Sequence, residues 1–129
     1  MVELKHVALT IDSKEHAVQF YEQVLKGNLI REFEINPDLV NQIFSITVAG
    51  DIPVMVFEVD LVQFEIFIVS DLKITDRFDH VCISVYDMNQ FKKQCLKHKL
   101  PVSVIPKGQK ELVFIKDFIG NVFEIKQKE

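Results

Sequence analysis

The sequence predicts an α+β chain built from two β-α-β-β-β modules in tandem, and two echoes within it predict this. The line His6-Val7-Ala8-Leu9-Thr10-Ile11 returns 74 positions later as His80-Val81-Cys82-Ile83-Ser84-Val85, matched class for class. A second echo closes each half, as Phe64-Glu65-Ile66 and Phe123-Glu124-Ile125. A His strand thus opens each half and a Glu strand ends it, the pattern of an internal duplication. Successive strand side chains face opposite ways. Val7, Leu9 and Ile11 therefore share a core face, and His6, Ala8 and Thr10 share the other. Val81, Ile83 and Val85 likewise oppose His80, Cys82 and Ser84. Beyond the imidazole the His face carries only small side chains, which leave room for something that is not protein.

At 129 residues the chain is one domain, 1–129, made of a module over 1–70 and a module over 77–129. An apolar fraction of 48% supports a packed core. The net charge of −4, with no basic cluster, argues against nucleic acid or an anionic membrane as the main partner. No apolar run reaches the length of a membrane span, and the N-terminus lacks the basic and apolar regions of a signal peptide. Cys82 and Cys95 form no C-x-x-C pattern, so the expectation is a cytoplasmic chain with reduced thiols.

Taken in order, residues 3–11 read as a strand. Asp12 with Glu15 forms a capping-box pattern, and Ala17, Phe20, Tyr21, Val24 and Leu25 recur at helical spacing. This predicts a helix over 13–26 with Gly27 as its C-terminal cap. Strands follow over 29–35, 52–59 and 62–69. The piece 39–44 has spacing for one or two helical turns and equally for a strand. A polar linker over 70–76 leads to a strand over 77–86. Asp87 with Gln90 repeats the capping box, and Pro101 ends the second helix. Strands over 102–105, 111–116 and 122–127 complete the chain, with Pro106-Lys107-Gly108-Gln109 and Asp117-Phe118-Ile119-Gly120-Asn121 as turns. The first half holds 15 more residues between its His and its Glu than the second, and the excess falls around 36–50, as a loop insertion.

A single Glu inside an apolar strand is ordinarily solvent-facing, and a single strand His is ordinarily structural. The same pair at matching places in both halves changes that balance. Two imidazoles and two carboxylates make a charge-matched set for one divalent ion, and mixed N and O donors suit Zn, Ni, Co, Mn or Fe(II) alike.

Repeated β-α-β-β-β with His-first and Glu-last strands resembles the vicinal oxygen chelate superfamily. That group holds glyoxalase I, methylmalonyl-CoA epimerase, fosfomycin-resistance proteins, extradiol dioxygenases and bleomycin-resistance proteins. The resemblance spans essentially the whole chain. It rests on the two His strands and on Asp117-Phe118-Ile119-Gly120-Asn121-Val122-Phe123-Glu124, which is similar to the family's D-x-x-G-x-x-x-E ending. The fold it implies is an open, curved mixed β-sheet with helices on its outer face. The metal ligands it implies are His6, Glu65, His80 and Glu124, a set most like that of glyoxalase I. The activity it implies is that of a lyase or isomerase: a substrate with adjacent oxygens chelates the ion, and protons move through a metal-stabilised enediolate. Glu124 is the general base by this analogy, with Glu65 as second choice. Thr10, Tyr21, Phe67, Cys82 and Ser84 are the expected substrate-pocket residues. The resemblance departs at Thr10, where bacterial glyoxalase I carries an Arg that helps hold glutathione, so the residues favour the metal more than any one substrate.

Two other readings stand beside this one. A non-catalytic binding protein would sequester a drug or aromatic ligand in a groove lined by some of the 11 Phe, and a fosfomycin-type thiol transferase would use the same metal. Cys82 as a nucleophile lacks an identifiable base other than a ligand His. His16 and His98 are expected at the surface, and Lys107 and Lys110 in a solvated turn that could also meet an anionic group. A homodimer is expected, because each module leaves a sheet edge to cover. Exchange of modules between two chains is one way to form it.

Overall fold

Each His strand pairs in parallel with the last strand of its own half, and that pairing fixes the topology. The computed structural model describes residues 4–71 and 79–129, and the chain divides into two compact units, 1–72 and 73–129. In the first unit β1 (Val7–Ile11), β2 (Asn28–Ile35), β3 (Ile52–Val59) and β4 (Val62–Ile68) form a sheet ordered β1-β4-β3-β2. In the second, β5 (His80–Val85), β6 (Val102–Lys107), β7 (Lys110–Lys116) and β8 (Val122–Gln127) form a sheet ordered β5-β8-β7-β6. Only β1–β4 and β5–β8 are parallel, so both sheets are mixed. The linker expected over 70–76 and the start of the strand expected at 77 lie largely outside the described residues.

The duplication holds to the residue. Ala8 stands opposite Glu65 and Cys82 stands opposite Glu124, and these are the same positions of the repeat. One face of each sheet is the core face. In the first unit Phe57, Phe64, Ile66 and Ile11 are sealed on the face that packs against helix α1, which begins at Lys14 and ends at Val24. Tyr21 of that helix stacks on Phe57 at 5.7 Å between ring centres and packs on Phe64 at 5.5 Å. Each such aromatic pair contributes about 0.5–1.5 kcal/mol beyond its area burial. In the second unit Val113, Ile115, Phe123 and Ile125 are buried, as is Cys95 of helix α3 (Met88–Lys97).

Helix α1 departs from its expected form. It is α-helical only over Lys14–Ala17 and continues as a π-helix over Val18–Val24. The wider turn places Phe20, Tyr21 and Val24 all in the core. Its cap is Ser13, whose side chain accepts from the His16 N–H, and not the expected Asp12. Asp12 instead meets His16 Nδ1 at 2.8 Å, so His16 is half-buried and paired. Gly27 is not the left-handed cap. Lys26 takes that conformation, with φ 63°, and the Gly27 N–H donates to the Tyr21 carbonyl at 2.9 Å. Glycine is required at 27 for space: a Cβ there would lie 2.7 Å from Val59 Cγ2 and 2.8 Å from the Tyr21 carbonyl oxygen.

The ambiguous piece 39–44 belongs to helix α2 (Pro37–Phe44), with Asn36 as its cap and Pro37 in its first turn. The Asn36 side chain accepts from the Leu39 N–H at 2.8 Å. Strand β6 runs two residues beyond its expected end, so Pro106 and Lys107 are strand and the turn is Gly108-Gln109 alone. The 117–121 loop forms as expected around Asp117, a buried carboxylate. It accepts from the Ile119 N–H, the Asn121 N–H and the Asn121 Nδ2 at 3.1, 2.9 and 2.7 Å. Among the described residues no helix is long and apolar enough to cross a membrane.

The two residues at the end of α1 predict opposite effects. Gly27→Ala should destabilise the chain by about 1–3 kcal/mol, because a methyl must displace backbone and Val59. Lys26→Gly should stabilise it by about 1 kcal/mol, by removing a left-handed non-glycine residue. Urea denaturation of the two variants measures both.

Candidate functional site

The parallel pairing puts the first residue of each His line and the Glu of each closing strand on one face of one sheet. His6 precedes Ala8 by two positions, and Ala8 lies opposite Glu65. Their side chains meet, with His6 Nε2 3.5 Å from Glu65 Oε2. Two donors about 2.1 Å from a tetrahedral ion stand roughly 3.4 Å apart. The pair is therefore already spaced as two ligands of one ion would be. Its side chains are 47% and 17% exposed for His6 and Glu65, so the carboxylate is largely sheltered while the imidazole remains open to solvent. The small side chain of Ala8 leaves the space between them clear.

The second unit repeats the backbone arrangement with different neighbours. His80 heads the strand, and Cys82 stands directly opposite Glu124, whose carboxylate acts on the thiol. Burial pushes the thiol pKa up, the Glu124 charge pushes it further, and Lys126 pulls the other way. The His80 ring stands edge-on to Phe114, 6.4 Å between centres, and Phe114 is the cross-strand partner of Glu124. Cys95 is sealed in the core, and burial raises its thiol to about 11.

The other expected pocket residues divide. Thr10 and Phe67 face one another on the Glu65 face, and Ser84 pairs with Lys126 on the Glu124 face. Tyr21 does not belong with them. It is fully buried on the opposite face, between Phe20, Phe57 and Phe64, because the π-turn rotates it onto the sheet. His98 caps the C-terminus of α3, and Lys107 and Lys110 pair across the β6–β7 hairpin rather than sitting in its turn.

Two contributors were not foreseen. Phe114 gives no sign of itself in sequence, since its place beside Glu124 depends on the β7–β8 register. Helix α2 was read as part of a loop insertion. It folds over the Glu65 face, where Val40 joins Ile35 and Val54 in a core that Phe33, Val48, Ile52 and Phe67 complete. Phe44 at its end stands edge-on to Phe67 at 5.5 Å and is 46% exposed. The Glu65 face thus ends in an aromatic wall.

No protein-family model matches the chain, and no curated protein matches it by sequence. Solved structures do. The trypanothione-dependent glyoxalase I of Leishmania major matches with a TM-score of 0.73 at 15% identity, over 98% of this chain and 87% of that one. A glyoxalase family protein from Enterococcus faecalis matches with a TM-score of 0.71 at 17% identity, over 95% of both chains. A mutant of the fosfomycin resistance protein FosX from Listeria monocytogenes, complexed with Mn(II) and 1S,2S-dihydroxypropylphosphonic acid, matches with a TM-score of 0.72. Its identity is 11%, over 98% of this chain and 90% of that one. The fold is that of the vicinal oxygen chelate superfamily.

Of these three matches, the FosX mutant is the one described with a metal, Mn(II). Among the described residues of this chain, no group of three His, Cys, Asp or Glu side chains is gathered closely enough to hold an ion. The donors present come as one His and one Glu per unit, and the His6–Glu65 spacing fits two ligands of a metal.

The two thiols should separate sharply in the metal-free protein. Cys82 should react with a disulfide reagent in the native state, and Cys95 only after unfolding. Glu124→Gln removes the charge that helps hold the Cys82 thiol protonated. More thiolate is then present at mildly alkaline pH, and the native-state reaction should be faster. Equal rates in the two proteins would contradict the contact.

Proposed function

We propose that this chain is a metal-dependent enzyme of the glyoxalase type, a lyase or isomerase acting on a small molecule with two adjacent oxygens. The carrying observation is the preformed His6–Glu65 pair, in a register that the second unit repeats with His80 and Glu124. The reading assigns His6, Glu65, His80 and Glu124 as ligands of a divalent ion. Zn, Ni, Co, Mn and Fe(II) all suit two imidazoles and two carboxylates. The FosX complex with Mn(II) and a vicinal diol supports that pairing of metal and substrate chemistry.

When bound, the ion supplies Lewis-acid polarisation of the substrate oxygens. The chain supplies the proton transfer. Polarisation acidifies the carbon next to an oxygen, and a carboxylate within reach takes its proton and returns it to the neighbouring carbon. Glu124 is assigned this role. Its neighbour across the strands is a neutral thiol, whereas Glu65 is engaged by an imidazole, so Glu124 is the less committed base. His6 and His80 are assigned as ligands of the ion.

A second reading is favoured by the exposed edge of Phe44 on Phe67, which suits a flat apolar ligand. In it the chain sequesters a drug or similar molecule and catalyses nothing. A fosfomycin-type thiol transferase is the third, prompted by the FosX likeness.

Elemental analysis decides between metal and no metal. Wild type should carry about one divalent ion per chain, and His6→Ala and Glu124→Ala should each lose it. Glu124→Gln should keep the fold but lose turnover by about 10²-fold or more on a dicarbonyl-derived or epimerisable substrate. Full activity in that variant would overturn the base assignment, and a wild type that takes up no metal would favour the sequestering reading.

The expected assembly is a homodimer. Light scattering should give twice the 15.0 kDa chain mass, and a monomer at every concentration would contradict it.

A further inference from the structure

The two units share a topology, so each position on one Glu face has a counterpart on the other. Val56 stands opposite Glu65 and Phe114 opposite Glu124, which aligns β3 with β7 and β2 with β6. The strands β2 and β3 close with Ile35 opposite Ile52, and β6 and β7 close with Lys107 opposite Lys110. Between Ile35 and Ile52 the chain inserts α2, which folds back over the Glu65 face. Between Lys107 and Lys110 there is only the turn Gly108-Gln109, so the corresponding end of the Glu124 face is uncovered.

What occupies that uncovered end differs in kind. Ile35, Ile52 and Phe67 belong to the apolar packing under α2. Their counterparts are Lys107, Lys110 and Lys126. Beyond Glu124, in the row that holds His80, Lys116 stands where the first unit has Glu58. All four lysines are exposed, and Glu124 is the only acid on the same face of the described strands. A merely solvated face in a chain of 19 acids and 15 bases would mix the signs. Lys107 and Lys110 are also direct cross-strand partners, an arrangement that like charges destabilise. Three cations gathered at one end of the Glu124 face, two of them directly facing each other, suit an anion.

We propose that the lysine row of β6, β7 and β8 receives the anionic group of the substrate, and that the substrate is a small molecule with a carboxylate or phosphoryl tail. The inference rests on the metal-dependent reading above and narrows its substrate class. Lysine ammonium groups act as point charges without the fork that would select between carboxylate and phosphate, so the class is defined by charge. The row raises the local concentration of the anion and orients its neutral, oxygen-bearing end toward Glu124, two residues before Lys126.

The test is an amide-resolved NMR titration of the full chain at low ionic strength. The probes are inorganic phosphate and, separately, succinate, with the protein metal-loaded and again after chelation. Shifts should be saturable and confined to residues 105–112, 116 and 124–127. They should persist without metal, and the affinity should fall roughly tenfold in Lys107→Gln/Lys110→Gln and in Lys126→Gln, with dispersion unchanged. Response to one probe and not the other identifies the group as phosphoryl or carboxylate. The helix lysines Lys92, Lys93 and Lys97 are the internal control. Shifts as large around α3 as around the β6–β7 hairpin, unchanged affinity in the Gln variants, or binding only to metal-loaded protein would each overturn the proposal. Elemental analysis fails or succeeds independently, so anion binding without metal would retain the lysine row and discard the metal reading.

Discussion

Everything in this chain follows from the parallel pairing of the first strand of each half with its last. Parallel neighbours need a crossover, and the helix plus the intervening hairpin provide it. The register then does the chemical work. A His two positions before a small residue, and a Glu opposite that small residue, must project from the same side of the sheet. The opposite side, with its Val, Leu, Ile and Phe, is left for the helix. One hydrogen-bonding register therefore separates core from site, and a slip by one residue would exchange them.

Most of this was legible because strand alternation and helical spacing are local. The strands over 52–59 and 122–127 and the Asp87 cap form as the pattern implies. The contents of the Glu faces were less legible. Tyr21 was read both as part of the helical stripe laid on the sheet and as a pocket residue, and only the first reading holds, since Tyr21 is sealed in the core. Gly27 was read as a conformational glycine, but Lys26 bears the left-handed backbone and Gly27 is there because Val59 and the Tyr21 carbonyl leave no room. Phe114 and α2 were missed for a third reason. Their place beside the site depends on which strands are neighbours, and that is set by long-range pairing rather than by any local period.

The duplication also shows how a repeated frame acquires unequal halves. The frame constrains the His, the small residue and the Glu, which must keep their register. It constrains much less at the far ends of the sheets. There the first half inserted a helix and became apolar, with Ile35, Ile52 and Phe67 beneath it. The second half kept a two-residue turn and accumulated lysines. An inserted helix needs apolar side chains under it to be stable, since a helix as short as α2 does not persist by propensity alone. Insertion and composition therefore had to change together, and the bare end was free to take charge.

The same inequality reaches the two carboxylates. Glu65 has Ala8 opposite it and the His6 imidazole at 3.5 Å. Glu124 has Cys82 opposite it, a thiol that donates weakly and stays neutral, with Lys126 further along the strand. A frame that repeats its backbone register thus gives its two carboxylates different neighbours, and the residue that differs most directly is the small one opposite each Glu.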